Sequence, residues 1–231
     1  VYVKSQSNSQ PAILLLHGFG ASVGHWRGNY EVLSEHHHVY ALDLLGFGNS
    51  EKPPSLYGIS VWVEQVFDFW QTFIQQPIVI VGNSIGALVA LMATHIHPEM
   101  SKGIVAISLP DLAELEELIP KPIRPVKRSL EAIVGRLLSP LLFYFIRRPQ
   151  SIKFVLENFA YSDRTRVDDE LVQIIAQPAQ DPQAATAFYY LNVSMNQVES
   201  LPSSPLPSSR EAIAQLQVPI LILWGTKDRF I

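Results

Sequence analysis

A serine set between two glycines is the feature of this sequence that most clearly suggests chemistry. Residues 79–87 read VIVGNSIGA, so that Ser84 stands in a G-x-S-x-G motif with an apolar run before it and a helix-forming run after it. A serine at such a turn takes a sharp, strained conformation, and Gly82 and Gly86 are the neighbours that avoid a clash with it. The turn would present the Ser84 hydroxyl as a nucleophile and aim the amide of Ile85 at developing negative charge.

A second glycine-rich turn follows the first strongly apolar run. Residues 17–20 read HGFG, and glycines let a backbone approach a substrate carbonyl closely. In hydrolases with a serine elbow, the loop at this place supplies the other amide of the oxyanion hole. We assign that amide to Phe19, in preference to an ordinary strand-to-helix turn, and expect His17 to orient the loop rather than to carry protons.

An acidic residue stands in the expected chain order after the last apolar run. Residues 224–228 read WGTKD, and hydrolases with this elbow have the nucleophile, the acid and the histidine in that order. Asp228 is therefore the predicted catalytic acid, which would hold the imidazole in one tautomer and stabilise its protonated form. Asp111 is a weaker candidate for the same role and is better explained as a helix N-cap.

The histidine that should complete this set is not recognised among the seven in the sequence. The consecutive histidines at 36–38 are typical of a solvated loop, and His95 and His97 follow the elbow at a helix end, where the dipole favours them. His25 is only a remote candidate because the chain order argues against it. We expect the base to lie beyond residue 231 and the chain as given to be nearly inactive, since loss of a triad member costs several orders of magnitude in rate.

The elements that must position these residues alternate between short apolar runs and helical stretches. Runs rich in Val, Ile and Leu without alternation predict strands buried on both faces. Five such runs lie at 12–16, 39–42, 77–81, 103–108 and 219–223. Helices are predicted at 24–34, 60–74 and 84–97. This order predicts an α/β fold with a mostly parallel sheet and helices on both faces, and both ends of the chain look truncated.

A long insertion separates the last two predicted strands. It spans roughly 110 residues, far more than an ordinary crossover. Helical patterns within it lie at 130–138, 140–146, 169–175 and 184–195, and a short helix at 210–216 leads back to the sheet. We therefore predict a first core part at 1–109, a helical cap at 110–209 and a second core part at 210–231.

Composition excludes several classes of function. The net charge is −4 and long basic tracts are absent, so nucleic acid is not an expected partner. The sequence has no cysteine, which excludes disulfides and thiolate zinc sites. The apolar stretch at 133–146 contains Arg136 and Pro140 and is too short to span a bilayer. Neither a metal nor a cofactor is expected.

The cap carries a basic segment with two explanations. Residues 121–148 hold seven Lys or Arg against one Glu, and they flank the apolar stretch 137–146. A solvated face around a cap helix would explain this pattern. Contact with a membrane surface through a basic rim and an apolar centre explains it equally well.

Segments in both the core and the cap resemble α/β-hydrolases of plants and cyanobacteria, in particular the group of chlorophyll dephytylase and pheophytinase. The core segments are HGFGAS at 17–22, HWR at 25–27, VYALDLLGFG at 39–48 and GNSIG at 82–86. The cap segments are IRRP at 146–149, AYSD at 160–163 and VDDELV at 167–172. The resemblance covers nearly the whole chain. Ala87 departs from it, because related elbows usually carry a second glycine there.

The resemblance implies a specific activity. It implies cofactor-independent hydrolysis of the phytyl ester of chlorophyll or of a magnesium-free relative, a hydrophobic substrate that an apolar cap would suit. It also implies a cytoplasmic location or one at the periphery of a thylakoid-type membrane, contacted through the cap, and the chloroplast if the source is a plant.

Two alternatives remain open. A hydrolase of carbon–carbon bonds in ring-cleavage products would use the same G-N-S-x-G elbow, and a non-catalytic pigment or lipid binder could keep the fold without the triad. Dehalogenases and epoxide hydrolases are disfavoured, because they require an aspartate at position 84.

Overall fold

The computed structural model describes residues 2–4, 11–110, 142–195 and 206–228. Its centre is a six-stranded sheet with the order β1-β3-β2-β4-β5-β6. The strands are β1 (Tyr2–Lys4), β2 (Ile13–Leu16), β3 (Val39–Leu42), β4 (Ile78–Asn83), β5 (Ser101–Ile107) and β6 (Ile220–Leu223). Only the pairing of β1 with β3 is antiparallel, and the other five strands run parallel. The predicted α/β class is confirmed.

Helices occupy both faces of this sheet. The α-helices with both ends in the described residues are α1 (Arg27–Ser34), α2 (Ile59–Phe73), α3 (Ile85–Ile96), α4 (Pro149–Val155), α5 (Asp169–Ala176), α6 (Ala184–Met195) and α7 (Ser209–Gln215). A 3-10 turn at Val23–Trp26 precedes α1, and a π-turn at Leu156–Ala160 follows α4. Residues 142–146 are also helical. No helix in the described part of the chain is long and apolar enough to cross a membrane.

The strands β2 and β3 are apolar throughout because each of them faces two cores. Leu14 and Leu16 of β2 lie in the main cluster with residues of α2 and α3, whereas Ile13 and Leu15 pack on the other face with Trp26. Successive side chains of a strand point to opposite faces, so a strand covered on both sides shows no alternation. This explains why the sequence pattern located the strands.

The helices predicted between β5 and β6 are found where the structure describes them. The predictions at 169–175, 184–195 and 210–216 correspond to α5, α6 and α7, each within one residue at either end. The prediction at 130–138 lies outside the described residues, and the one at 140–146 is described from residue 142. Helix α4 was not predicted. The division of the chain into core and cap stays a prediction.

The cap helix α5 contacts the core close to the turn at Val23–Trp26. The guanidinium of Arg27 donates to both carboxylate oxygens of Asp168, at 2.7 and 2.8 Å, and to Glu170. Gly24 leaves room for Ile174, because a Cβ at position 24 would lie 2.8 Å from the Ile174 Cγ2. The cap therefore lies against the segment that follows β2.

Candidate active site

Ser84 occupies the turn between β4 and α3 in a strained conformation. Its φ of +52° and ψ of −120° lie in a region that residues with a side chain seldom adopt. Its N–H donates to the Ile107 carbonyl at 2.8 Å, and its own carbonyl accepts from the Ala87 N–H at 2.9 Å. These bonds to β5 and α3 hold the serine at the carboxyl end of the central strands.

The two glycines of the motif make this turn sterically feasible. A Cβ at Gly82 would lie 2.2 Å from the Gly86 carbonyl oxygen, and a Cβ at Gly86 would lie 2.3 Å from the Leu16 carbonyl oxygen. Both distances are far below van der Waals contact, and both neighbours are backbone atoms that cannot rotate away. Only glycine fits at either position, so the spacing of the motif has a direct steric cause.

The HGFG turn lies beside the serine. A Cβ at Gly18 would stand 3.4 Å from the Ser84 Cβ and 2.9 Å from the Asn83 Oδ1. The amide of Phe19 comes next in the chain, and the amide of Ile85 belongs to the first turn of α3, where N–H groups have no intrahelical acceptor. The structure thus brings together the two segments that carry the predicted oxyanion-hole amides.

Buried His17 fixes the HGFG turn through both of its ring nitrogens. Its Nδ1 lies 2.8 Å from the Gly18 carbonyl, and its Nε2 lies 3.1 Å from the Leu44 amide nitrogen. The Leu44 N–H can only donate and the Gly18 carbonyl can only accept, so we assign the proton to Nδ1 and the acceptor role to Nε2. Burial lowers the pKa of His17 and so favours this neutral form. His17 orients the loop, as its sequence position suggested.

Asp43, at the end of β3, is also fully buried and holds two neighbouring loops. Its Oδ1 accepts from the Val23 N–H at 2.7 Å and its Oδ2 from the Asn49 N–H at 2.9 Å. A Cβ at Gly48, where φ is +52°, would lie 2.2 Å from the Asp43 Cγ. Both carboxylate oxygens are therefore engaged with backbone amides, which is a structural role.

Asp228 follows β6 and accepts a hydrogen bond from Ser108. The Ser108 Oγ donates to the Asp228 Oδ2 at 2.7 Å, and the Ser108 N–H donates to the Leu223 carbonyl at 2.9 Å. The preceding residue, Ile107, accepts from the Ser84 N–H. A continuous series of bonds across the strand ends therefore connects the predicted nucleophile with the predicted acid.

Ser108 is a residue of this site that the sequence analysis missed. Its φ of +48° turns the chain directly after β5 and aims its hydroxyl at a residue 120 positions away. The only signal in the sequence was a polar residue at the end of an apolar run. We assign Ser108 as a positioning residue for Asp228.

The chain order of the elements separates most histidines from Ser84. The histidines at 36–38 directly precede β3, so they lie at the amino-terminal ends of the strands. Helix α3 starts at the serine turn and runs back along the sheet, so His95 and His97 at its end lie toward the same amino-terminal side. His25 lies in the turn after β2, on the same side as Ser84, and its ring packs edge-on against Trp26. Burial lowers the pKa of His25, and within the described structure its buried Nδ1 has no hydrogen-bond partner.

Two further points concern the second acid candidate and metal binding. Asp111, the weaker candidate for the acid, lies outside them. Among the residues that the structure describes, no group of three or more His, Cys, Asp or Glu side chains could hold a metal ion.

Comparisons with known proteins agree with this architecture. The chain is 25% identical over 264 residues to the chloroplastic pheophytinase of Arabidopsis thaliana, covering 96% of this chain and 52% of the relative. It is 25% identical over 223 residues to the 2-hydroxy-6-oxo-6-(2'-aminophenyl)hexa-2,4-dienoic acid hydrolase of Metapseudomonas resinovorans, covering 95% and 68% respectively. The crystal structure of a membrane phospholipase A, described as a bacterial virulence factor, superposes with a TM-score of 0.69 at 26% identity, covering 99% of this chain and 66% of that one.

The match to a family model extends over nearly the whole chain. The chain spans only about half the length of the plant pheophytinase, at 52%. The model of the alpha/beta hydrolase fold, in contrast, matches residues 11–231. Since this match includes every parallel strand and the strained serine turn, the chain belongs to the alpha/beta hydrolase fold family.

Proposed function

We propose that the protein is a serine esterase that cleaves a hydrophobic carboxylic ester, and that its substrate is the phytyl ester of chlorophyll or of a magnesium-free relative. The observation that carries the proposal is the strained Ser84 turn lying against the HGFG loop, with Asp228 connected to it through Ser108. The similarity to pheophytinase, which extends over 96% of the chain, supports a pigment ester.

The proposed reaction is acyl transfer to water. The Ser84 Oγ attacks the ester carbonyl carbon while an imidazole takes its proton, and the amides of Phe19 and Ile85 bind the resulting oxyanion. The imidazolium returns the proton to the departing alcohol, and water then hydrolyses the acyl-enzyme and restores Ser84. Asp228 would orient the imidazole. His17 is engaged in fixing its own loop and five other histidines lie toward the amino-terminal ends of the strands, so none of these six supplies the imidazole.

The surroundings of the serine suit an apolar substrate. The Phe19 side chain is 44% exposed although its ring packs edge-on against Phe47 at 5.3 Å. An exposed aromatic ring next to the proposed oxyanion amide would contact the alkyl part of an ester. Under this proposal the protein acts in chlorophyll breakdown, at the periphery of a thylakoid-type membrane or in the cytoplasm.

Release of phytol from chlorophyll a and from pheophytin a, its magnesium-free relative, tests this proposal, and failure means release from neither. We expect Ser84→Ala to reduce the rate by at least about 10³-fold, and Asp228→Asn by roughly 10⁴-fold, because each removes a group that acts with the others as a unit. Failure to release phytol, or release at the same rate by the Ser84→Ala variant, would reject the proposal. Pigment binding that does not depend on Ser84, without hydrolysis, would favour a non-catalytic binder.

A carbon–carbon bond hydrolase is the second candidate. The similarity to the dienoic acid hydrolase of Metapseudomonas resinovorans, over 95% of the chain, favours it specifically. A coloured ring-cleavage dienone would lose its absorbance on cleavage. Loss of that absorbance with no phytol release would select this reaction, and Ser84→Ala should abolish either activity.

A further inference from the structure

The cap exposes an unusual number of large apolar side chains. We call residues 142–159 the cap strip. Six of its apolar side chains are between 40% and 60% exposed: Leu142, Tyr144, Phe145, Phe154, Val155 and Phe159. Single exposed apolar residues are ordinary, but a cluster of aromatic side chains on a surface marks an interaction site.

Contacts within the strip make it one surface. The rings of Phe154 and Phe159 lie edge to face with centroids 6.3 Å apart. The Ser151 Oγ donates to the Phe145 carbonyl at 2.9 Å, which holds the residues before α4 against its first turn. Helix α4 itself is anchored by Ile152, which is buried with Val172 of α5. The exposed rings are therefore presented on a fixed element.

A groove with two arginines adjoins the strip. Its volume is about 480 Å³, and Tyr144, Arg147, Arg148, Gln173, Gln177 and Gln180 are among the residues that line it. The Arg147 guanidinium lies 4.2 Å from the Tyr144 ring centroid, and the Arg148 guanidinium lies 5.5 Å from that of Phe145. Neither guanidinium forms an ion pair with a carboxylate in the described part of the chain. The groove thus combines positive charge with neutral amide donors.

We propose that the cap strip and its groove dock the protein on an anionic membrane surface. The exposed rings would enter the boundary between head groups and acyl chains, as aromatic side chains do at membrane interfaces. Arg147 and Arg148, lying over rings of the same strip, would remain at head-group level and bind lipid phosphates. The two arginine charges favour an anionic bilayer as the partner, because it supplies both an apolar layer for the rings and a plane of negative charge for the guanidinium groups.

The sequence before the strip has the same charge. Residues 121–136, which lie outside the described structure, contain five Lys or Arg and one Glu.

Docking does not depend on the chemistry of Ser84 and can be measured with the Ser84→Ala variant. Under the proposed function, docking would give Ser84 access to an ester dissolved in the bilayer. The reason is that the cap contacts the core on the carboxyl side of the strands, where Ser84 also lies.

Flotation with lipid vesicles tests the docking. The Arg147→Gln/Arg148→Gln variant should bind vesicles of phosphatidylcholine with phosphatidylglycerol about 30-fold more weakly than the wild type, since each basic residue near the surface contributes about fivefold. Phe154→Ser/Phe159→Ser should weaken binding about tenfold or more. Matched controls on the core, Val32→Ser for an exposed apolar residue and Lys102→Gln for an exposed cation, should bind as the wild type does.

Thermal unfolding curves that match the wild type would show that each variant is folded. Wild-type binding to phosphatidylcholine vesicles equal to that on the anionic mixture would overturn the proposal, and so would anionic binding unchanged in the arginine variant. If the wild type instead forms dimers in solution that the phenylalanine variant abolishes, and does not float with vesicles, the strip is an interface between two copies and the proposal is wrong.

Discussion

Mild acid is expected to destabilise this protein through two buried imidazoles. Burial lowers the pKa of both His17 and His25, so that the folded protein keeps these rings neutral while the unfolded chain protonates them near pH 6.5. Because both pKa values are lowered by folding, the stability is intact above about pH 6.5 and falls as the pH drops below it. The free energy of unfolding should fall with pH, by at most about 1.4 kcal/mol per pH unit for each histidine and at most about 2.7 kcal/mol for both.

Urea unfolding at a series of pH values between about 5 and 7.5 measures this slope. His25→Gln and His17→Gln should each reduce the slope, although glutamine at 17 also lowers the stability at neutral pH. Carboxylates whose pKa is lowered in the folded state do not interfere, since they are protonated only below about pH 4. They are Asp163, Asp168 and Glu211. A slope that survives both histidine substitutions would refute the assignment of neutral, buried rings.

Four further substitutions, one of them a control, test how the turn and the cap are held. Gly86→Ala should lower the free energy of unfolding by about 3 kcal/mol or more, because the added Cβ would strike a backbone carbonyl. Gly28→Ala in α1 is the control: no atom lies within 4 Å of its Cβ, so it should raise the free energy of unfolding by about 0.5–1 kcal/mol. Urea unfolding compares the two variants. Arg27→Ala should lower the free energy of unfolding by about 1 kcal/mol or less, as the loss of an exposed ion pair does. It should also speed amide hydrogen exchange in α5, and exchange as slow as in the wild type would contradict the contact of Arg27 with this helix. Lys52→Met should lower the free energy of unfolding by about 2–3 kcal/mol, because the buried Lys52 Nζ donates to the carbonyls of Gly48 and Ser50 and the substitution leaves both without this donor. Urea unfolding measures this loss.

The parallel strands could be predicted because burial on both faces leaves a local trace. The prediction at 39–42 coincides with β3, and the one at 12–16 differs from β2 by one residue. The strand β1 has only three residues at the sheet edge, too few for any periodicity to appear. Helix α4 was missed for a different reason. Phe154 and Val155 lie on its exposed side, so its apolar residues do not gather on one buried face as periodicity assumes.

The site was predictable to the extent that its causes are local. The strain at Ser84 and the glycines around it depend on neighbours within a few positions, so a spacing rule captures them. The bond from Ser108 to Asp228 joins residues 120 apart, and the bond from Arg27 to Asp168 joins residues 141 apart. Neither pair has a local signature, because each depends on how the strand ends and the cap come together in space.

The cap contacts the core at the loops that carry the proposed oxyanion hole. Gly24 lies against α5, and its neighbour Val23 donates to the buried carboxylate of Asp43. The next residue, Leu44, donates from its backbone N–H to the Nε2 of His17, which fixes the turn bearing Phe19. A second contact reaches the same carboxylate from the other side. Lys52, whose Nζ lies 3.5 Å from the Asp181 carboxylate, also donates to the carbonyl of Gly48, whose Cα faces Asp43 closely.

Both of these contacts of the cap therefore lead to one buried carboxylate. Asp43 accepts from two backbone amides in loops on either side of it, so a displacement of the cap at either contact would act on the position of this carboxylate. Through His17 the displacement would reach the amide of Phe19. The position of the cap and the geometry of the proposed oxyanion hole are then coupled, because packed elements joined by buried hydrogen bonds do not move independently.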